Sequence, residues 1–68
     1  MSKPILYHLP NCGMCKTIEI LFKKKNIEYK SCEDVDYMSD IGITHTPTLD
    51  VDGVLYTGRE IIDWANKQ

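Results

Sequence analysis

The sequence has no long hydrophobic run. Its first apolar stretch spans only Ile5 to Leu9, which is too short for the apolar part of a signal peptide and far too short to cross a membrane. No repeat, linker or low-complexity tract interrupts the 68 residues, so we expect a single domain over residues 1–68. These absences lead us to expect a cytoplasmic protein that does not act at a membrane.

An excess of positive charge is also absent. Ten Asp and Glu residues outnumber eight Lys and Arg residues, and the formal net charge is −2. Without an overall positive field, nucleic acids are poor candidate partners. With 43% hydrophobic and 26% charged residues, the chain has the composition of an ordinary folded domain. The core must be small, because a domain of this size buries only about 60% of the surface that its unfolded chain exposes.

Cysteine is scarce, and the number of cysteines is odd. Cys12, Cys15 and Cys32 are the three present, whereas a short secreted disulfide scaffold normally has four, six or eight. In a reducing cytosol, a close cysteine pair more often indicates redox chemistry or metal binding than a structural crosslink. The cysteine pattern therefore directs attention to Cys12 and Cys15.

The first half of the chain predicts a strand, a helix and a second strand. Ile5 to Leu9 is rich in strand formers, and residues 13–25 have the spacing of an amphipathic helix. Asn26 is expected to end this helix in the left-handed conformation, and Ile27 to Cys32 alternates as an outer strand. Such closely spaced elements predict a right-handed βαβ unit with parallel strands. The predicted apolar face of the helix comprises Met14, Ile18, Leu21 and Phe22, and its polar side comprises Lys16, Glu19, Lys23 and Lys24.

The second half predicts a short helix, a hairpin and a final helix. Within residues 33–45, a short helix is expected to bury Val35, Met38 and Ile41. Asp52-Gly53 between two apolar segments, Thr48–Val51 and Val54–Thr57, is typical of a type I′ hairpin turn. Thr57 followed three residues later by Glu60 predicts a capping box at the start of the last helix. That helix is expected to pack Ile61, Ile62, Trp64 and Ala65 against the sheet.

The motif Cys12-Gly13-Met14-Cys15 lies where the first strand passes into the first helix. A thiolate at a helix N-terminus faces unpaired N–H groups and the positive end of the helix dipole, which makes it a nucleophile near neutral pH. We therefore predict Cys12 as the nucleophile. Cys15 lies about one helical turn further along, so it can attack a mixed disulfide formed on Cys12 and act as the resolving thiol.

A zinc site is the alternative interpretation of these cysteines. Cys12 and Cys15 could supply half of a Cys₃His site, completed by Cys32 and by either His8 or His45. The protein would then be a small zinc-binding interaction module. Against this, structural zinc pairs usually lie on loops, and no second close ligand pair is present. Without metal, His8 is expected to be a packed residue and Cys32 a half-buried apolar one.

Thr46-Pro47 is the second feature with chemical interest. A proline immediately before a strand cannot join the middle of a sheet, and it is one of the few places that accept a cis peptide bond. The sequence leaves cis and trans open. If the bond is cis and the segment folds against Cys12, the backbone of Thr46 can pair with an extended substrate segment.

Taken together, these residues resemble a known family. The strand containing Tyr7, the Cys12-Gly13-Met14-Cys15 helix start, Thr46-Pro47 and Gly58 at the last helix are similar to the glutaredoxins and the ribonucleotide-reductase redoxins of the thioredoxin superfamily. The resemblance covers essentially the whole chain. It implies an α/β fold of the thioredoxin-like, glutaredoxin type, with a four-stranded mixed sheet flanked by helices and a cis Pro47.

The resemblance also implies a function, thiol–disulfide oxidoreduction through Cys12 and Cys15 without a metal or organic cofactor. The implied partners are disulfide-containing proteins, with ribonucleotide reductase as one candidate electron acceptor. Glutathione or a flavoenzyme of the thioredoxin-reductase type would supply electrons, and a monomer is expected. An iron–sulfur carrier, which some glutaredoxin relatives become, is a further alternative. The implied substrate-binding residues are Tyr7, Gly13, Met14, Thr46, Pro47, Gly58 and Arg59.

The sequence departs from the glutaredoxin pattern at the residues that hold glutathione. Gly13-Met14 replaces the frequent Pro-Tyr pair, and the lysine upstream of the active site is missing. Arg59-Glu60 replaces the residues that bind the glutathione amine. Arg59 could instead pair with a glutathione carboxylate or remain solvated. These departures leave the electron donor and the reduction potential open.

Overall fold

Three helices flank a four-stranded sheet in the computed structural model, which describes residues 3–68. In chain order the elements are β1 (Ile5–Tyr7), α1 (Gly13–Lys24), β2 (Lys30–Cys32), α2 (Val35–Asp40), β3 (Thr48–Val51), β4 (Val54–Thr57) and α3 (Arg59–Asn66). The sheet order is β2-β1-β3-β4, with β1 parallel to β2 and antiparallel to β3. The predicted element order and the mixed four-stranded sheet are confirmed. No helix within residues 3–68 is both long and apolar enough to span a membrane.

Both predicted strands of the βαβ unit are shorter in the structure. β1 ends at Tyr7 instead of Leu9, because the chain turns there and the Cys12 amide donates to the Leu9 carbonyl. β2 begins at Lys30 instead of Ile27. The Ile27 amide donates to the Phe22 carbonyl over 2.9 Å, so this backbone group closes the end of α1 and cannot join the sheet.

Helix α1 follows the prediction at both ends but differs along its apolar face. It ends at Lys24, and Asn26 has a φ of 56°, the left-handed conformation expected of it. The buried residues are Cys15, Ile18 and Phe22. Met14, predicted on the apolar face, is 46% exposed. The buried side of the helix runs through Cys15, and Met14 lies outside it.

The core has two parts, one on each face of the sheet. Successive residues of a strand point to opposite faces, so Leu6 and Tyr7 of β1 lie in different clusters. The first cluster comprises Leu6, Ile18, Phe22, Leu49, Ile61 and Ala65, with Ile62 and Trp64 packed against it. The second comprises Tyr7, Met38 and Ile43. This burial on both faces confirms β1 as a central strand, and the expected packing of α3 on the sheet is also confirmed.

Helix α2 forms where a short helix was predicted, but it buries only one of the three expected side chains. Met38 is buried, whereas Val35 and Ile41 are exposed. The chain turns after the helix at Gly42, which has a φ of +85°, and the Ile43 amide then donates to the Met38 carbonyl. This turn brings Ile43 into the core in place of Ile41.

Asp34 caps α2, and its removal should measurably destabilise the domain. The Asp34 carboxylate accepts a hydrogen bond from the Tyr37 amide over 3.1 Å. We expect Asp34→Ala to lower the free energy of unfolding by about 1 kcal/mol, or about 4–8 °C in melting temperature. Asp34→Asn keeps a capping oxygen and should melt close to the parent. Equal melting temperatures for all three proteins would contradict this role.

The predicted hairpin forms, and the last helix begins slightly later than predicted. Asp52 and Gly53 both have positive φ, and Val51 pairs with Val54 across the turn, as predicted for a type I′ hairpin. The capping box is only half formed. Glu60 accepts from the Thr57 amide and hydroxyl, but the N-cap is Gly58, and α3 begins at Arg59 instead of Thr57.

Candidate active site

Cys12 and Cys15 lie at the N-terminus of α1 and are joined by a disulfide, with their Cα atoms 5.2 Å apart. Cys12 is the N-cap residue, and its sulfur accepts a hydrogen bond from the Cys15 amide over 3.2 Å. Cys12 is partly exposed, whereas Cys15 is only 1% exposed. The two sulfurs therefore differ in access: an external reagent can approach Cys12, while Cys15 faces the protein interior.

The start of α1 favours negative charge on the Cys12 sulfur. The first turn of a helix leaves N–H groups without helical partners, and the helix dipole adds a positive potential there. One of these groups, the Cys15 amide, already points at the Cys12 sulfur. A thiolate released by reduction of the disulfide would thus find a hydrogen-bond donor in place.

The Thr46-Pro47 peptide bond is cis, as the resemblance implied. Pro47 is buried, and its carbonyl accepts a 3.5 Å hydrogen bond from the Gly58 amide. In the sheet, Tyr7 at the end of β1 pairs with Thr48 at the start of β3. Because the chain runs from the end of β1 to Cys12, the cysteine pair and Thr46-Pro47 lie at the same edge of the sheet.

The same edge carries most of the other predicted substrate-binding residues. Thr57 pairs with Thr48, so Gly58 and the exposed Arg59 follow at this edge, while Gly13 and Met14 are exposed in the first turn of α1. Tyr7 differs from the others. It is buried, its ring centroid is 6.5 Å from that of Tyr37, and burial first, then the neighbouring Tyr37, raises its pKa. Tyr7 is therefore a core residue of the second cluster, packed with Met38 and Ile43.

The ligand set that a zinc site requires does not assemble in the described part of the chain. Cys12 and Cys15 are bonded to each other, and Cys32 is a half-buried free thiol on β2 beside Met38 and Tyr7. His45 is exposed. Within residues 3–68, no group of three or more His, Cys, Asp or Glu side chains could hold a metal ion. Cys32 occupies the half-buried apolar position expected of it.

A partly buried polar cluster of His8, Glu19 and Tyr29 is not predicted by the sequence. His8 is 7% exposed, and its Nδ1 lies 3.5 Å from Oε1 of Glu19. The other Glu19 oxygen accepts a hydrogen bond from the Tyr29 hydroxyl. Glu19 was predicted on the polar side of α1, but its side chain is only 31% exposed. The four-residue spacing from Cys15 to Glu19 was the available signal.

Comparison with known proteins identifies the fold. No family model and no curated protein matches this sequence. Among solved structures, the thioredoxin-like protein BC3987 superposes with a TM-score of 0.78 at 23% identity, covering 97% of this chain and 100% of that one. A point mutant of that protein gives a TM-score of 0.75 at 24% identity, covering 94% of this chain and 96% of that one.

The chain has the thioredoxin-like fold. This confirms the predicted fold class at the level of architecture. In this thioredoxin-like chain, the bonded cysteine pair is an arrangement suited to thiol–disulfide exchange, because one sulfur is accessible and the other lies within bonding distance of it. The narrower assignment to the glutaredoxins or the ribonucleotide-reductase redoxins stays a prediction.

Proposed function

We propose that the protein is a small thiol–disulfide oxidoreductase of the glutaredoxin type. The observation that carries the proposal is the asymmetry of the cysteine pair, with Cys12 accessible at the helix start and Cys15 buried one turn behind it. A crosslink that served only stability would not need a partly exposed sulfur facing an amide donor.

The reaction follows from this asymmetry. In the reduced protein, the Cys12 thiolate attacks one sulfur of a substrate disulfide, and the other substrate sulfur leaves as a thiolate. Cys15 then attacks the Cys12 sulfur, the bond between Cys12 and the substrate breaks, and the Cys12–Cys15 disulfide forms. The substrate gains two electrons, which the dithiol loses, so no metal or organic cofactor is required.

The proposed substrates are disulfide-containing proteins or glutathione mixed disulfides in the cytoplasm, reduced by a monomer. The backbone of Thr46, next to the buried Pro47, would pair with an extended substrate segment as an added strand. Glutathione or a thioredoxin-reductase-type flavoenzyme would regenerate the dithiol, and ribonucleotide reductase is a candidate acceptor. The exposed Arg59 would pair with a carboxylate if glutathione is the donor.

A redox titration tests the proposal. The purified protein is equilibrated across a glutathione redox series, quenched by alkylation, and each cysteine is quantified by mass spectrometry. We expect Cys12 and Cys15 to interconvert together as a two-electron pair, with a midpoint between roughly −270 and −200 mV, while Cys32 remains free. A glutathione adduct on Cys12 would support glutathione as the donor.

The titration also distinguishes the competing functions. If neither Cys12 nor Cys15 oxidises and the intact mass includes zinc, the pair is structural and the protein is a zinc module. A coloured, dimeric protein would instead indicate an iron–sulfur carrier. Either result would overturn the oxidoreductase proposal.

A further inference from the structure

The proposed reaction gives no role to the buried side chain of His8. His8 follows β1 and is 7% exposed. Its Nδ1 lies 3.5 Å from Glu19 and 3.9 Å from Glu33. Its other nitrogen, Nε2, is buried and has no hydrogen-bond partner among residues 3–68. An unpaired polar atom in a protein interior costs about 1–3 kcal/mol, so the position of this ring calls for a physical explanation.

Glu19 is the nearer of the two carboxylates beside the His8 ring. Its Oε1 faces Nδ1 of His8, while its Oε2 accepts the Tyr29 hydroxyl over 3.4 Å. Burial, and after it the negative charge of Glu19, raises the pKa of Tyr29, so Tyr29 remains a donor at neutral pH. A ring whose Nδ1 carries the hydrogen toward a carboxylate has its lone pair on Nε2. In that tautomer, Nε2 is the nitrogen that can accept a proton.

Glu19, the partner of His8, lies about one helical turn from the resolving Cys15. Residues four apart on a helix lie on the same side, about 6 Å apart along the axis, which relates Glu19 to Cys15. Cys15 is 1% exposed, so its thiol proton has no direct contact with bulk water. A buried thiolate without a partner is unfavourable. Resolution of a mixed disulfide therefore requires a nearby base.

We propose that His8, oriented by Glu19, accepts the proton of Cys15 when Cys15 resolves the mixed disulfide. The inference rests on the proposed function. The Cys15 proton moves to Nε2 of His8, and the Cys15 sulfur bonds to Cys12. The substrate sulfur leaves with the electron pair of the broken bond, and the resulting imidazolium is stabilised by the Glu19 carboxylate. The proton then passes to solvent.

The two thiol steps can be separated with the aromatic disulfide 5,5′-dithiobis(2-nitrobenzoate). In a Cys32→Ala background, attack by Cys12 releases one coloured thiolate, and attack by Cys15 on the resulting mixed disulfide releases a second. Stopped-flow absorbance from pH 5.5 to 8.5 resolves the two phases. For His8→Gln at pH 7, we expect the second phase to slow by about tenfold or more, with the first phase changed less than about twofold.

The carboxylate variants provide a matched pair. Glu19→Gln should slow the second phase at pH 7, because the imidazolium formed on His8 loses its counter-charge and His8 becomes a weaker base. Glu33→Gln removes the other carboxylate near Nδ1, but that side chain is 55% exposed and 0.4 Å more distant, so less than about a twofold change is expected. His8→Asn, which retains an N–H near Glu19, replaces His8→Gln if the latter does not fold.

The His8 and Glu19 variants test the proton-acceptor role separately from the proposed function. Unchanged second phases in the His8 and Glu19 variants, or equal slowing of both phases, would overturn the proton-acceptor role while leaving the oxidoreductase proposal intact. Absence of the first phase in the parent protein would overturn the proposed function itself. The pH dependence of the second phase in the parent protein is a further test. If that phase accelerates only above about pH 8, as for a free thiol, a buried base is excluded.

Discussion

Cys12→Ser is expected to abolish disulfide reduction, with a loss of about a thousandfold or more in turnover. Serine cannot form the sulfur–sulfur bond on which the reaction depends, and a hydroxyl is not ionised near neutral pH. Cys15→Ser should behave differently, because Cys12 can still attack. The mixed disulfide then has no resolving thiol, so the variant should accumulate covalently bound substrate.

These variants are measured by turnover with a protein disulfide substrate and by intact mass. Cys32→Ser is the matched control, since it makes the same chemical change at the free, half-buried thiol on β2. It should retain activity within about twofold and trap nothing. Full activity in Cys12→Ser, or trapping at Cys32, would show that the nucleophile has been assigned to the wrong cysteine.

Phe22→Ala should cost about 3–5 kcal/mol in the free energy of unfolding. Phe22 is fully buried, and its ring meets those of Tyr29 and Trp64 at centroid distances of 5.0 and 5.9 Å. A domain of 68 residues has a total stability of only about 3–10 kcal/mol. The variant should therefore lose most of its stability, and a large fraction of it should be unfolded at 37 °C.

Guanidinium unfolding followed by Trp64 fluorescence measures the loss. Ile20→Ala on the same helix is the control, because Ile20 is 57% exposed and a surface change of this kind should stay within about 0.5 kcal/mol. Both variants are compared in the oxidised state. A loss below about 1 kcal/mol for Phe22→Ala would mean that α1 does not pack on the sheet through this ring.

The sequence predicts the architecture well where a pattern has one physical cause. Asp52-Gly53 needs positive φ at both positions, and the structure has it there. Asn26 ends α1 in the left-handed conformation for a similar local reason. Strand ends are less predictable, because they depend on partners elsewhere: Ile27 has the composition of a strand residue, but its amide is used by the end of α1.

The buried face of each helix is also only partly predictable from the sequence. The apolar residues of α1 define its buried side only to within one position: Met14, predicted on the apolar face, is 46% exposed, and Glu19, predicted on the polar side, is half-buried. In α2, Ile41 and Ile43 are equally apolar. Only the backbone turn at Gly42 decides which of them reaches the core.

Some features of the candidate site are predictable from local sequence, and others depend on contacts between distant residues. The Cys12–Cys15 pair follows from its motif and from its place at a strand–helix junction. The proximity of Thr46-Pro47 depends on the pairing of Tyr7 with Thr48, which no local pattern specifies. The contact between His8 and Glu19 joins two residues that the sequence gives no reason to associate, because one follows a strand and the other lies midway along a helix.

The placement of Gly13 and Met14 has a consequence for how such a protein can diversify. Cys15 at one end of α1 and Phe22 at the other are both embedded in the interior, so most changes along this side of the helix would affect folding and reactivity together. The two residues between the cysteines are different. Met14 projects outward, and a side chain added at Gly13 would meet no atom within 4 Å. Selection or a combinatorial library can therefore vary this dipeptide freely, retuning the chemistry of the cysteines while the rest of the scaffold is inherited unchanged.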